Sequence, residues 1–398
     1  MQAGQPLRAA VRLAALGYNR DMPSALPPPV WVARPEALQR LVRDLAHQPR
    51  LAVDTESNSL HAYREQVCLI QFSTSRTDYL VDPLTLADLS ALAPIFANPR
   101  IEKIFHAAEY DLICLKRDFG FSVVSLFDTM QAARILGYKQ VGLDSILAQQ
   151  LDIHLDKRYQ KADWAERPLS PEMLSYARLD THYLLQLRDS LQAELRGKKR
   201  LDLAQEEFAR LARGNGNGNG RRELQAWQRV SGKQKLNDRQ LAILQELCAW
   251  REGQAERMDR PPFKVLDERR LVAIASAAPA SSEKLAPFLT ERQRRHFGSD
   301  LLRAVQRGRQ AAPLSRPRTP RPSQAYLQRL DILSGWRKKL AQDTGLESDI
   351  ILPKSWMQAI AEKDPRNLAE LAALMPESPW RLKHYGQEML AALSKIRK

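Results

Sequence analysis

The chain has 398 residues, 44% of them hydrophobic, and carries 61 Lys+Arg against 46 Asp+Glu, a formal net charge of +15 at pH 7. That length exceeds one typical core, so two or three domains are expected. The three cysteines, Cys68, Cys114 and Cys248, are odd in number and without a Cys-x-x-Cys pair, which argues against a disulfide framework or structural zinc. No apolar run approaches the eighteen residues of a membrane span, so a soluble protein of the reducing cytoplasm is expected.

In chain order, residues 1–20 contain Arg8, Arg12 and Arg20 and no acid. Lacking the serine enrichment of a transit peptide, they read as part of a flexible extension over residues 1–34, with Pro23–Val30 as a polyproline-like connector. Strands are predicted at Leu51–Asp54, Val67–Ser73, Tyr79–Asp82, Ile101–Phe105 and Val123–Phe127. Helices are predicted at Leu86–Ala97, Asp111–Asp118, Thr129–Leu136, Leu143–Leu151 and Pro171–Leu195, with Lys198, Lys199 and Arg200 ending the last one favourably for its dipole. Gly214–Gly220 reads GNGNGNG, a linker without side chains able to pack, and a connector continues to residue 235. The charge changes there. Up to Arg213 there are 27 Lys+Arg against 26 Asp+Glu; from Gly214 onward there are 34 against 20, so the basic excess lies in the second half.

That half holds an internal repeat. Trp250-Arg251, Val265-Leu266, Leu271, Ala273-Ile274-Ala275, Pro279 and Leu285 recur 86 residues later as Trp336-Arg337, Ile351-Leu352, Met357, Ala359-Ile360-Ala361, Pro365 and Leu371. A constant offset means two copies of one module. Their apolar positions follow helical spacing, so each copy is expected to be a small helical bundle, over residues 236–308 and 322–398, joined by a basic Pro/Arg linker over 309–321.

The first half carries the chemistry. In LAVDTES a strand's period of two places Asp54 and Glu56 on one face, where they can share a cation. In FHAAEYDLICL, Asp111 falls in a helix's first turn just after a strand. In PEMLSYARLD, Tyr176 and Asp180 are four apart, on one face of a helix opened by Ser170 and Pro171. Four carboxylates suit two hard divalent ions, Mg2+ or Mn2+, roughly 3.5–4 Å apart, the arrangement that stabilises both the entering and the leaving oxygen in phosphodiester hydrolysis.

In this order VDTES, HAAEYDL and YARLD resemble the three exonuclease motifs of the DEDD superfamily in its tyrosine-bearing subgroup. DKRYQKADWAERPLSPEMLSYARLDTHYLL, with its KxxQxxDWxxRPL run from Lys157 to Leu169, is similar to the ribonuclease D family. The likeness spans about Pro35 to Arg213. It implies an α/β exonuclease domain of the ribonuclease H-like type over 35–213, a mixed sheet flanked by helices. It also implies that Asp54 bridges both metals, that Glu56 and Asp180 complete one metal site, that Asp111 serves the other ion, and that Tyr176 positions the attacking water. His106 is either a substrate contact or the cap of a strand end. Ser57 stands where some relatives place an aromatic, which puts stacking on the terminal base in doubt.

The repeated modules resemble the HRDC domain, the helicase and ribonuclease D C-terminal module, which implies an auxiliary nucleic-acid grip. Arg292, Arg294, Arg295, Arg303, Arg307 and Arg309, continuing through Arg316, Arg318 and Arg321, suit phosphate contact without base reading. The combined expectation is a 3′-5′ exoribonuclease acting on single-stranded RNA 3′ ends, in tRNA or other stable-RNA maturation. RNA is the expected partner, with no membrane and no obligate protein partner, the chain being read as a monomer. An exodeoxyribonuclease, and a non-catalytic RNA-binding scaffold with a vestigial nuclease fold, are the alternatives.

Overall fold

The computed structural model describes residues 26–214, 225–315 and 321–396. Residues 1–25 of the expected extension, Asn215–Gly220 of the Gly/Asn linker, and Arg316 and Arg318 lie outside the described residues. The chain divides into two compact units. One comprises residues up to Glu56, Val67–Asn215 and Pro322–Lys398; the other comprises Ser57–Gln66 and Gly216–Arg321.

The first unit is built on six strands, β1 (Val30–Val32), β2 (Arg50–Ser57), β3 (Val67–Ser73), β4 (Asp78–Val81), β5 (Glu102–Phe105) and β6 (Leu126–Asp128), in the order β1-β4-β3-β2-β5-β6. β4 pairs parallel with β1 and antiparallel with β3, and β5 runs parallel to both β2 and β6, so the sheet is mixed. The central strands are the most apolar: Leu51, Ala52 and Val53 are fully buried, and so is every residue of β3. Helices α1 (Pro35–Ala46), α2 (Glu109–Phe119), α3 (Thr129–Leu136), α4 (Leu143–Leu151), α5 (Pro171–His182), α6 (Leu184–Gly197) and α7 (Leu201–Ala212) flank it.

Several expectations are corrected. The extension read over 1–34 ends before Val30, because Val30–Val32 pairs with Tyr79–Val81 as an edge strand; the prolines ahead of it hide a segment that needs only one neighbour. α1, unforeseen, buries Leu38, Leu41 and Leu45 at helical spacing. The helix expected over Leu86–Ala97 is only a 3-10 turn at Ser90–Leu92 and one α turn at Ala93–Phe96, with Pro94 at its start. The strand expected over Val123–Phe127 begins at Leu126, since Ser125 sits at φ 55°. The helix expected from Pro171 to Leu195 breaks at Tyr183: side chains of Arg178, Thr181 and His182 tie the first half to β3 and β4, while Leu184, Leu187, Leu191 and Leu195 bury a separate stripe. Lys198–Arg200 turn the chain into α7, Lys199 at φ 55°. α7 escapes notice in the sequence because Glu206 and Glu207, both buried, interrupt its apolar pattern.

The second unit contains α8 (Asp238–Arg257), α9 (Glu268–Ala277) and α10 (Glu291–Gln310) around Leu244, Leu247, Leu271, Ile274, Leu301 and Val305. α8 and α10 pass so closely that a Cβ on Gly308 would lie 2.4 Å from the Ile243 Cα. The loop Ser57–Gln66 belongs to this unit, with the Tyr63 amide donating to Asp259 and the Arg64 guanidinium to Glu256, both at 3.1 Å.

Back in the first unit, the second copy of the repeat forms α11 (Gln324–Thr344), α12 (Lys354–Lys363) and α13 (Pro379–Ser394). The 86-residue offset holds down to single hydrogen bonds: Arg251 donates to the Leu266 carbonyl at 3.4 Å and Arg337 to the Leu352 carbonyl at 2.8 Å. Ala278 and Asp364 both adopt positive φ at the end of the helix that follows.

The second copy is nevertheless no free-standing bundle. Its core is continuous with that of the nuclease sheet. Arg381, fully buried, reaches Glu206 at 2.5 Å and Glu207 at 3.0 Å, and Arg134 pairs with Glu347 and Asp349. Arg200 donates to the carbonyls of Ile135 and Thr344. Burial would raise the Glu207 carboxyl, but its bond to Arg210 and the charge of Arg381 hold it below the usual range. Among the described residues no helix is long and apolar enough to cross a membrane, and the three cysteines are buried and form no disulfide.

Arg381→Met leaves the buried Glu206 without its cation and Glu207 with Arg210 alone, so a loss of about 3–5 kcal/mol in urea unfolding is expected. Adding Glu206→Gln and Glu207→Gln is expected to restore much of it.

Candidate active site

β2 lies between β3 and β5, and Arg50 at its start pairs with Asp189 of α6. From the buried run Leu51–Val53 the strand emerges at Asp54, and alternation puts Glu56 on the same face. α5 brings Asp180. Ser170 caps that helix by accepting from the Met173 N–H at 3.2 Å, and Pro171 presets its first turn. Its other end is fixed by Arg178 on Asp78 (3.0 Å), Thr181 on the Ser73 hydroxyl (2.7 Å) and His182 on Asp78 (2.9 Å), anchors that bracket Asp180. Burial pushes Asp78 up, yet its bonds from His182 and Ser73 and the charge of Arg178 hold it below the ordinary carboxylate range. As a result, carboxylate oxygens of Asp54, Glu56 and Asp180 lie within 4.8 Å of one another.

Asp111 arrives differently. After β5 the chain turns through Ala107 at φ 61°, and the buried Asp128 at the end of β6 accepts from the amides of Ala107 (3.3 Å) and Ala108 (2.8 Å). The same carboxylate caps α3 by accepting from the Gln131 amide at 2.9 Å. One side chain thus sets two helix starts, and Asp111 lies in the first turn of α2. The Thr55 hydroxyl, between the two β2 acids, donates to Asp111 at 2.5 Å.

Burial, reinforced by the crowding of acids, governs the electrostatics. Burial and then the charges of Asp111, Asp180 and Glu56 hold Asp54 well above its ordinary value; burial, Asp180 and Asp111 do the same to Glu56. Burial pushes Asp180 up to about 7, and Asp111 also to about 7 against the opposing bond from Thr55. Tyr176 stands beside the cluster, its ring 5.9 Å from Tyr159 and 6.0 Å from Trp164. Burial and the charges of Asp180, Glu56 and Asp54 push its hydroxyl far above the ordinary tyrosine value, so it stays protonated at neutral pH. The ring faces a cleft of about 200 Å³ shared with Asp180, Tyr159, Arg158 and Leu155.

An all-oxygen set of acids that repel one another fits a hard divalent cation, since positive charge is what the cluster lacks. His106 sits with Nδ1 2.9 Å from the Thr129 hydroxyl, and burial lowers it to about 4, so the ring is neutral and ties the end of β5 to α3. Sequence reading missed Asp128, Thr55 and the Asp78–Arg178 pair. Of these only Asp128 left a signal, an Asp-Thr ahead of an apolar helical run. The RPL end of the KxxQxxDWxxRPL run is a fastening: Arg167 grips Asp82 through two bonds and donates to the carbonyls of Cys68 and Trp164. Of the six α10 arginines, all exposed, Arg295, Arg303 and Arg307 pair with Glu291, Asp300 and Glu246. Arg292, Arg294 and Arg309 have no ion pair among the described residues.

A 3′-5′ exonuclease family model matches residues 29–196, and the HRDC domain matches residues 240–305 and 327–393. Ribonuclease D of Pseudomonas paraeruginosa is 32% identical over 376 residues, covering 91% of this chain and 97% of that protein. The chain belongs to the ribonuclease D family. The exosome complex exonuclease RRP6 of Saccharomyces cerevisiae is 34% identical over 265 residues, 63% of this chain, but the chain spans only 36% of that relative's length. The crystal structure of Escherichia coli RNase D superposes with a TM-score of 0.68 at 25% identity, covering 93% of this chain and 99% of that one. Both chains are thus alike from the nuclease sheet through both HRDC copies. Nucleases of the ribonuclease D family work with bound metal, and the acid cluster of β2 and α5 is where this member can hold it.

The raised carboxyls make a pH prediction. Each has a folded-state pKa above its unfolded value, so its contribution to stability is full below the ordinary carboxylate range and is lost as pH rises through about 7. The metal-free protein therefore weakens as it is brought from pH 6 to pH 8, and manganese offsets the loss. The expected readout is a gap in thermal midpoint between manganese and EDTA samples that widens over that range and narrows in Asp180→Asn; a gap independent of pH contradicts the cluster's charge state.

Proposed function

We propose that the chain is a 3′-5′ exoribonuclease that releases single nucleotides from RNA 3′ ends with two divalent ions, Mg2+ or Mn2+, in the maturation of tRNA and other structured RNAs in the cytoplasm. The observation that carries this reading is the meeting of Asp54, Glu56 and Asp180 beside the protonated Tyr176, with Asp111 tethered to β2 through Thr55. Family membership supports the polarity. The E. coli relative is described as an exoribonuclease involved in structured RNA processing, which supports the substrate class.

Asp54, Glu56 and Asp180 would hold one ion, and Asp111 together with Asp54 the other. Bound there, the ions supply charge stabilisation to the attacking and leaving oxygens and lower the pKa of water. The chain's own residues do the rest. Tyr176, protonated, offers a hydroxyl that orients the attacking water; its raised pKa disqualifies it as the general base. Thr55 and Asp128 keep Asp111 in place. Trp164 and Tyr159 keep the Tyr176 ring in place.

A 5′-labelled RNA with a single-stranded 3′ end is expected to give a ladder shortening one nucleotide at a time with magnesium or manganese and no products with EDTA. Retained binding without cleavage under every metal would instead favour the scaffold reading. Asp180→Asn is expected to abolish cleavage while RNA binding persists. Tyr176→Phe is expected to lower kcat about 10²-fold through misplaced water, without moving the pH profile.

The three unpaired arginines of α10 carry a separate expectation. Because the second HRDC copy completes the nuclease core, cutting the chain after Arg213 would damage the nuclease itself. Replacing Arg292, Arg294 and Arg309 with alanine avoids this. If they meet phosphates, the slope of log affinity against log salt falls by roughly 0.7 for each phosphate left without its arginine, read by titrations at several salt concentrations.

A further inference from the structure

A second cavity, of about 470 Å³, opens on one flank of α4 and is lined by Gln140, Asp144, Ser145, Gln149, His154 and Leu155. It shares Leu155 with the cleft that holds Tyr176 and Asp180, so the two hollows adjoin at that side chain. Its lining differs in kind. The cleft at Tyr176 offers aromatic rings and Arg158, whereas this cavity has no lysine, arginine or aromatic ring except the His154 imidazole. Asp144 is occupied by Lys157 at 2.8 Å, an ion pair that keeps its carboxyl below the ordinary range. The side chains of Gln140, Ser145 and Gln149 have no hydrogen-bond partner among the described residues, which leaves two amides and a hydroxyl facing the hollow.

We propose that this cavity is a nucleobase subsite for the RNA strand upstream of the scissile bond. The inference rests on the exoribonuclease reading of the acid cluster. A phosphate calls for cations, which the lining lacks; a base edge calls for mixed donors and acceptors, which amides supply in pairs and a hydroxyl supplies singly. The position fixes the side of the cut. Neither Tyr176 nor any of the four acids of the cluster lines this cavity, and its proposed occupant lies clear of the scissile phosphate. An enzyme that removes one nucleotide at a time has a single nucleotide on the 3′ side, and that one must touch it. The occupant is therefore upstream, the third nucleotide from the 3′ end. A trinucleotide reaches the cavity and a dinucleotide does not.

The test uses the full chain with Gln140→Leu and Gln149→Leu combined, which keeps side-chain size and removes the amides from two exposed positions. Hydrolysis of di- and trinucleotides is followed with manganese. In parallel, binding of the same two RNAs carrying a non-hydrolysable terminal linkage is read by fluorescence anisotropy. The variant is expected to raise KM and Kd for the trinucleotide relative to the dinucleotide by roughly tenfold, the loss of two hydrogen bonds, and to flatten the parent's preference among bases at the third position from the 3′ end. An equal change on both RNAs, or no change on either, overturns the subsite. If the parent hydrolyses neither RNA, the exoribonuclease reading falls, and the ratio of the two binding constants still decides whether the cavity takes a base.

Discussion

The burial of four acids side by side is the constraint on which the first unit is organised. Asp54, Glu56, Asp111 and Asp180 each bear a carboxyl that burial pushes above its ordinary value, with neighbouring charge adding to the rise in the first three, and a chain free to choose would move them apart. They are held by groups that do not take part in any reaction. β2 is locked between two strands, α5 is pinned at both ends, and Asp128 ties the turn before α2 to the start of α3. Such a scaffold stores unfavourable electrostatic energy that a divalent cation relieves, so affinity for metal and rigidity of the surrounding fold have one origin.

The two HRDC copies show how one module serves two ends. Both keep the arginine-to-carbonyl bond that pins the first helix to the segment after it. Beyond that they diverge. The first has its own core and a final helix bearing six exposed arginines, half of them engaged with acids of the same unit. The second directs Arg381 into the nuclease, where two glutamates neutralise it out of reach of water. A nucleic-acid grip is open to the first on grounds of charge. The second is fastened as part of the enzyme body.

Periodic and repetitive features were legible in the sequence. Asp54 and Glu56 fall together because a strand alternates, Tyr176 and Asp180 because a helix returns in four, and the paired modules because an 86-residue offset survives at many positions. The features that escaped depend on partners far away in the chain. β1 is a strand only because β4 offers it an edge. The long helix after Ser170 breaks only because Arg178, Thr181 and His182 find partners on β3 and β4. Thr55 looks like an ordinary polar residue, and Asp128 like a helix cap and no more, until the turn after β5 is brought beside them. Glu206 and Glu207 read as solvated charges in a helix whose burial depends on a residue 175 positions later.

That last separation bears on how the protein is made. Until Arg381 has been synthesised, Glu206 of α7 has no cation to compensate its burial and Glu207 has only Arg210, and the face of the nuclease that receives the second HRDC copy remains open to water. A newly made nuclease domain therefore waits, incompletely closed, while the whole intervening HRDC copy is translated.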